Sequence, residues 1–243
     1  MKNFFYLLLT VTLFSCGGES LEEGFEDAND NVSEKLLKQI RIDYADPYED
    51  DYTYQFGYDG DNRLTSVTDG ENTRFFNYDS DGNLTSISGS DEPFEMSELY
   101  EAPYDAFEEG DVLEYDDKGN PIKIEVYDDG DYYNDPEILV GEISYDQKPN
   151  PFFYTLEAGG IIDVLNNVDL NFNSSSPTIV KAYRLLPFNN VRGMIFRNSM
   201  DNQIETEVQY ESVYDEDGYA TNTTIQVLSD SDNETVYLTY VYR

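Results

Sequence analysis

Apolar and polar residues alternate with a period of two along much of this chain, the spacing of a β-strand that buries one face. Tyr54, Phe56 and Tyr58 stand at alternate positions, and Phe76 and Tyr78 repeat the pattern after Arg74. Runs of this kind end in Asp-x-x-Gly-Asn or a variant of it, and Gly or Asn is the residue type that tolerates positive φ in a tight turn. A second apolar and β-branched run then leaves the turn, as from Leu64 to Val67 and from Ile122 to Val126. The spacing predicts β-hairpins. It also predicts strands from Leu36 to Tyr44, Ile138 to Tyr145, Val191 to Phe196, Ile204 to Tyr214, Thr223 to Leu228 and Val236 to Tyr242.

The hairpin unit recurs at irregular spacing. Five segments begin Tyr-Asp, at Tyr58, Tyr78, Tyr115, Tyr145 and Tyr214, and the fourth residue after Tyr is Gly82, Gly119 or Gly218 in three of them and Asn62 in the first. Seven of the 22 tyrosines precede Asp, well above chance, so the pairing is a pattern rather than composition. Two stretches break the meander. Residues 91–110 hold two prolines among many acids and read as a long loop with a helical turn near Met96, and residues 157–190 carry a weak helix candidate from Ile161 to Asn167. The expected fold is all-β, an antiparallel meander of hairpins in one large sheet of about ten to twelve strands, twisted or curled, with at most one or two short helices.

The chain's first residues follow a different rule. Lys2 precedes an apolar stretch from Phe4 to Phe14 that is too short to stay in a bilayer as a spanning helix and reads as a secretion signal. Leu13-Phe14-Ser15-Cys16 resembles the bacterial lipobox, which implies cleavage before Cys16 and a lipid on its thiol. Residues 17–33 are rich in acids and glycine and read as a flexible tether. The expected organisation is a signal peptide at 1–15, the lipidated Cys16 and acidic tether at 16–33, and one β domain at 34–243. Gly17, Glu19, Glu22 and Glu23 resemble the sorting signals of Bacteroidetes lipoproteins, which implies an outer-membrane location facing the periplasm or the cell surface.

Charge narrows the list of partners. The 51 Asp and Glu against 14 Lys and Arg give a net charge of −37, a field that repels phosphate backbones and leaves nucleic acid out. Cys16 is the lone cysteine, so stability rests on packing rather than an intrachain disulfide. The sequence holds no histidine, which excludes Ser-His-Asp and Cys-His nucleophiles and histidine-ligated metals. It also lacks a phosphate-binding glycine loop.

Three chemistries stay open. Paired carboxylates could serve a glycosidase-like hydrolase, although 51 acids nominate no pair. Asp79-x-Asp81-x-Asn83, Asp215-x-Asp217 and Asp230-x-Asp232-x-Glu234 space oxygens as calcium loops do, while Asp and Asn are also ordinary turn formers. Aromatic side chains can stack on sugars or peptides, while Tyr also suits a half-exposed strand. A binding face would show an exposed aromatic stripe, and a hydrolase a cleft with two close acids.

The units Tyr115-Asp116-Asp117-Lys118-Gly119-Asn120-Pro121-Ile122-Lys123-Ile124, Asn150-Pro151-Phe152 after Tyr145-Asp146, and Asn189-Asn190-Val191 resemble the YD-repeat type of β-hairpin array. The closer likeness is to uncharacterised Bacteroidetes lipoproteins built from degenerate YD repeats. That resemblance implies an extended antiparallel sheet in a lipid-anchored envelope protein, and nothing catalytic. The function expected is therefore binding of a glycan or protein partner through the sheet face or loops, with no cofactor. The alternative is a secreted carboxylate-dependent hydrolase.

Overall fold

The structure is a computed structural model that describes residues 21–30, 32–89, 110–128, 137–160, 187–229 and 233–243. Among these, twelve antiparallel strands form one sheet: β1 Leu37–Tyr44, β2 Tyr52–Tyr58, β3 Leu64–Thr68, β4 Thr73–Tyr78, β5 Leu84–Gly89, β6 Gly110–Tyr115, β7 Pro121–Asp128, β8 Glu137–Pro149, β9 Asn189–Asn198, β10 Ile204–Tyr214, β11 Ala220–Ser229 and β12 Asn233–Tyr242. Two short helices, α1 Leu21–Ala28 and α2 Phe153–Ala158, complete the described elements. The expected all-β fold is the one found.

The strand order is β5-β4-β3-β2-β1-β12-β11-β10-β9-β8-β7-β6. Two meanders, β1 to β5 and β6 to β12, run outward from a central seam where the first and last strands pair, Ile40 opposite Tyr240 and Arg41 opposite Thr239. The sheet stays open rather than curling closed, and among the described residues β5 and β6 are its two edges.

Residue alternation gives the sheet two unlike faces. The inner face carries Ile40, Phe56, Val67, Phe76 and Tyr240, all buried, and continues across β7 to β10 as Ile124, Ile143, Met194, Phe196 and Val208. Both helices pack on the first of these clusters through Phe25, Phe153, Tyr154 and Leu156. Burying such side chains stabilises the fold by about 1.5–3 kcal/mol each.

Two expectations are corrected here. The tether expected over residues 17–33 is helical from Leu21 to Ala28, and Phe25 within it is fully buried. Phe25 and Ala28, three residues apart and both buried, give the acidic segment one apolar face, while Glu22 and Glu23 in the first turn suit the positive end of the helix dipole. The Tyr145 segment does not form a hairpin. Its fourth residue after Tyr is Pro149, whose ring fixes φ near −65° and denies the positive φ that the turn needs. The chain instead runs through Asn150 into α2, where the Phe152 N–H donates to Asn150 Oδ1 at 3.0 Å. The helix candidate from Ile161 to Asn167 and the helical turn near Met96 lie outside the described residues.

Candidate functional site

The other four Tyr-Asp units are hairpin turns of one construction, at β2–β3, β4–β5, β6–β7 and β10–β11. In the second, the Asp79 N–H donates to the Asn83 carbonyl at 3.0 Å and the Gly82 N–H returns to the Asp79 carbonyl at 3.2 Å. Asp79 Oδ1 accepts the N–H groups of Asp81 and Asn83, both at 2.9 Å. Gly82 has φ +91°, and Asn62 fills the same place in the first turn with φ 67°. Asp59, Asp116 and Asp215 accept the corresponding pairs of N–H groups. These are three-residue loops closed by a positive-φ residue, and the register slips by one residue beside each Tyr.

The tyrosines do a second job. Tyr58 donates its hydroxyl to the Leu37 carbonyl at 2.8 Å, Tyr78 to Leu64 at 2.6 Å, Tyr145 to Pro121 at 2.7 Å and Tyr242 to Ala220 at 2.7 Å. Each donor lies near the end of its strand, and each acceptor is the first residue of the strand beside it. At Tyr58 and Tyr78, Asp thus closes the hairpin and Tyr latches it to the neighbouring strand. Tyr214 departs from the series and donates to Asp146 Oδ2, beside Asn190.

The motif asparagines form a buried clasp at the same end of the sheet. Asn120 Nδ2 donates to Asn189 Oδ1 at 2.9 Å, and Asn189 Nδ2 to Asn29 Oδ1 at 2.8 Å. Asn120 Oδ1 accepts the N–H groups of Phe188 and Asn189, while Asn150 Nδ2 donates to the Pro187 carbonyl. The clasp holds the β6–β7 turn, the end of α1 and the entry to β9 together. Buried amides partnered in this way avoid the desolvation cost of unpaired polar groups.

A shallow groove of about 240 Å³ lies beside the clasp, lined in part by Asp116, Lys118, Tyr145, Asp146 and Asn189. Both oxygens of Asp116 and of Asp146 are engaged. Asp116 accepts from two backbone N–H groups and Asn120 Nδ2, and Asp146 from the Lys148 N–H, Asn190 and Tyr214.

Of the carboxylates spaced like calcium ligands, Asp79, Asp215 and Asp217 are also occupied. Besides its two N–H groups, Asp79 accepts Asn83 Nδ2 at 3.1 Å, and these bonds, led by the Asn83 N–H, hold its carboxyl below the usual range. Asp215 and Asp217 flank the Lys35 ammonium at 2.7 and 2.6 Å, under the rings of Tyr219 and Tyr242. Burial opposes charge on Asp215, but its bonds to Lys35 and the Tyr219 N–H outweigh it and lower the pKa. Among the described residues no group of three acids, histidines or cysteines is arranged to hold a metal ion. Asp230 and Asp232 of the third spacing, and Cys16, lie outside the described residues.

The outer face of the sheet is mostly polar, although Val213, Leu228 and Val241 are exposed on it, and it carries no helix among the described residues. Strand register places on it Gln39, Arg41 and Asp43 of β1, Thr53 and Gln55 of β2, Ser66 and Thr68 of β3, and Ser86 and Ser88 of β5. Across the seam follow Thr239 of β12, Asn222, Thr224 and Gln226 of β11, and Gln209 and Glu211 of β10. None of these side chains is buried. The Asn77 amide reaches Ser86 and Ser88, and that of Asn222 reaches Thr239. Phe75 and Tyr237 are exposed on this face. Four strand steps separate them, about 19 Å, so they do not make the aromatic stripe expected of a sugar platform.

No protein-family model matches the chain, and no curated protein matches it. Among solved structures, a porin-like protein from Bacteroides uniformis ATCC 8492 is 13% identical with a TM-score of 0.38, over 85% of this chain and 98% of that one. A porin-like protein from Bacteroides vulgatus ATCC 8482 is 8% identical with a TM-score of 0.36, over 86% and 99%. A LolA superfamily protein from Nitrosomonas europaea is 11% identical with a TM-score of 0.32, over 90% of each chain. Likeness at this level leaves function to be argued from the chain's own residues.

Proposed function

We propose that this chain is a lipid-anchored, non-catalytic protein of the bacterial envelope that holds a glycan or protein partner on the outer face of its sheet. One observation carries the reading: among the described residues the molecule commits its apolar face to packing and Asp59, Asp79, Asp116 and Asp215 to closing hairpins, and no described element covers a broad face rich in hydroxyls and amides. Such side chains both donate and accept hydrogen bonds, as sugar hydroxyls and peptide backbones require. Asn222, Thr224, Tyr237 and Thr239 form a contiguous patch on β11 and β12, and hydrogen bonding there takes the place of an aromatic platform.

The non-catalytic part rests on the carboxylates. A glycosidase needs an acid whose pKa is raised so that it can donate a proton. Among the described residues the turn acids with shifted pKa values, Asp59, Asp69, Asp79 and Asp215, all move down. The envelope location rests on the signal-like stretch from Phe4 to Phe14 and the lipobox-like residues up to Cys16. Anchoring there would be to the outer membrane through lipid alone.

Two experiments test the reading. The full chain expressed in a bacterium fed an alkynyl fatty acid should take up label, and Cys16→Ser should not; an unlabelled wild type overturns the anchor. On an array of bacterial glycans and in outer-membrane extracts, the wild type should retain a partner that the triple variant Asn222→Ala, Thr224→Ala, Tyr237→Ala loses at an unchanged melting temperature. Equal retention by both proteins, or none by either, overturns the binding face.

A further inference from the structure

Helix α1 is a fixed part of the domain rather than a loose leader to it. Its Phe25 is stacked against Phe153 of α2, and the ring of Phe188 comes so near that a Cβ on Gly24 would stand 3.0 Å from it. Just past the helix, Asn29 donates to the Phe188 carbonyl at 3.0 Å and accepts from Asn189 at 2.8 Å, while Lys118 Nζ donates to the Ala28 carbonyl at 2.9 Å. These contacts hold α1 on the inner face, in the cluster that contains Ile40 and Tyr240. Its exposed residues are Glu22, Glu23 and Asp27, so among the described side chains it presents acids and no apolar surface to insert into a bilayer.

Four residues, 17–20, separate α1 from Cys16. The five steps from Cys16 to Leu21 cover at most about 18 Å even when fully extended. Resting on the lipidation of Cys16 argued above, we propose that this short span keeps α1 and the inner side of the sheet next to the bilayer and turns the outer face, with Asn222, Thr224, Tyr237 and Thr239, away from it. Distance selects the orientation. A helix with its side chains has a radius of about 5–6 Å, and each face of a sheet adds about 5 Å, half the spacing of packed sheets, so about 15 Å separates the axis of α1 from the outer surface. For the outer face to lie on the bilayer, the span from Cys16 would have to cover that thickness and also pass round the rim of the sheet, and almost none of its reach is left for the detour. Charge sets the depth. The lipid supplies the attachment, and carboxylates are too costly to desolvate for α1 to sink among the acyl chains. The partner of the outer face therefore arrives from the aqueous side and is not a headgroup of the membrane that carries the anchor.

The test uses the full chain, purified from a bacterium fed an alkynyl fatty acid and reconstituted in phosphatidylcholine vesicles with nitroxide on a fraction of the headgroups. With the Cys16 thiol carrying lipid, a fluorophore goes to Glu23→Cys in α1 or to Gln226→Cys on the outer face, both exposed positions. Nitroxide should quench the label at Glu23→Cys several-fold more than the label at Gln226→Cys. A Gly-Ser insert of about 20 residues between Ser20 and Leu21, which adds roughly 25 Å of mean reach, should remove that difference at an unchanged melting temperature. A purified chain without fatty-acid label overturns the anchor and this placement together. A labelled chain quenched alike at the two positions, or one whose difference survives the insert, overturns the placement and leaves the anchor standing.

Discussion

The ring of Phe25 lies flat on the ring of Phe153, with centroids 3.9 Å apart and planes 6° apart. This contact seats α1 on α2, and the edges of Tyr154 and Phe188 close around it. Residues with the composition of a tether thereby become part of the core.

Phe25→Ala should therefore destabilise the protein by about 3–5 kcal/mol, the range for emptying a buried aromatic site. Phe25→Leu, which keeps more of the volume, should cost less. Urea denaturation of the two variants against wild type measures both. A cost under about 0.5 kcal/mol for Phe25→Ala would match a surface substitution and contradict the packing of α1.

The latch makes a separate prediction. Tyr78→Phe removes the hydroxyl that reaches the Leu64 carbonyl and leaves the ring in place, so it should cost about 0.5–1.5 kcal/mol. Tyr58→Phe should behave alike through Leu37. Tyr48 is 93% exposed in the β1–β2 connection, and Tyr48→Phe should leave the denaturation midpoint unchanged.

Turn conformation predicts opposite signs at two equivalent places. Gly82→Val forces a β-branched residue to φ +91° and should cost about 1–3 kcal/mol. Asn62→Gly relieves the same requirement at φ 67° and should leave thermal stability equal or slightly higher. Loss of stability in the glycine variant, or none in the valine variant, would contradict the turn geometry.

Stability should be flat across neutral pH, because no histidine is present to titrate there. Burial raises the hydroxyl pKa of Tyr78 to about 12, and burial with the bond to Asp146 does the same for Tyr214. Tyr58, Tyr240 and Tyr242 are pushed higher still, again chiefly by burial. A folded pKa above the unfolded value of about 10 gives stability that is complete below pH 10 and lost as pH rises toward the folded value. At the acid end, the Arg63 bond on Asp59 and the backbone N–H bonds on Asp69 and Asp79 lower their pKa values. Their contribution is present above about pH 4 and lost as pH falls through the folded values. Thermal melts from pH 2 to 12 should trace this plateau, and a midpoint that moves within the neutral range would contradict it.

How far the sequence reveals these features depends on how local each signal is. The turn at Asp79 is written within five residues, since one carboxylate, two N–H groups and one glycine decide it, and the strands on either side follow from alternation. The latch is invisible because Tyr78 donates to a backbone carbonyl, and carbonyls carry no sequence mark. Asn120 and Asn189 stand out as motif residues, yet nothing local says that they bond each other. Leu21, Phe25 and Ala28 are too few among acids to change the mean composition, which conceals α1. The seam between Ile40 and Tyr240 joins opposite ends of the chain, a choice among strand orders that alternation leaves open. The outer polar face follows from the same alternation, but its continuity across the seam depends on that strand order.

The central claim is that the first and last strands meet in the middle of one sheet and so join two hairpin arrays into a continuous face. The most direct test is disulfide pairing in a Cys16→Ser background between Arg41→Cys and Thr239→Cys, which sit opposite each other in β1 and β12. Mild oxidation should crosslink this pair within one chain, whereas Arg41→Cys with Asn222→Cys, one strand farther on in β11, should stay reduced. Crosslinking of the second pair and not the first would contradict the seam and, with it, the single face proposed for binding.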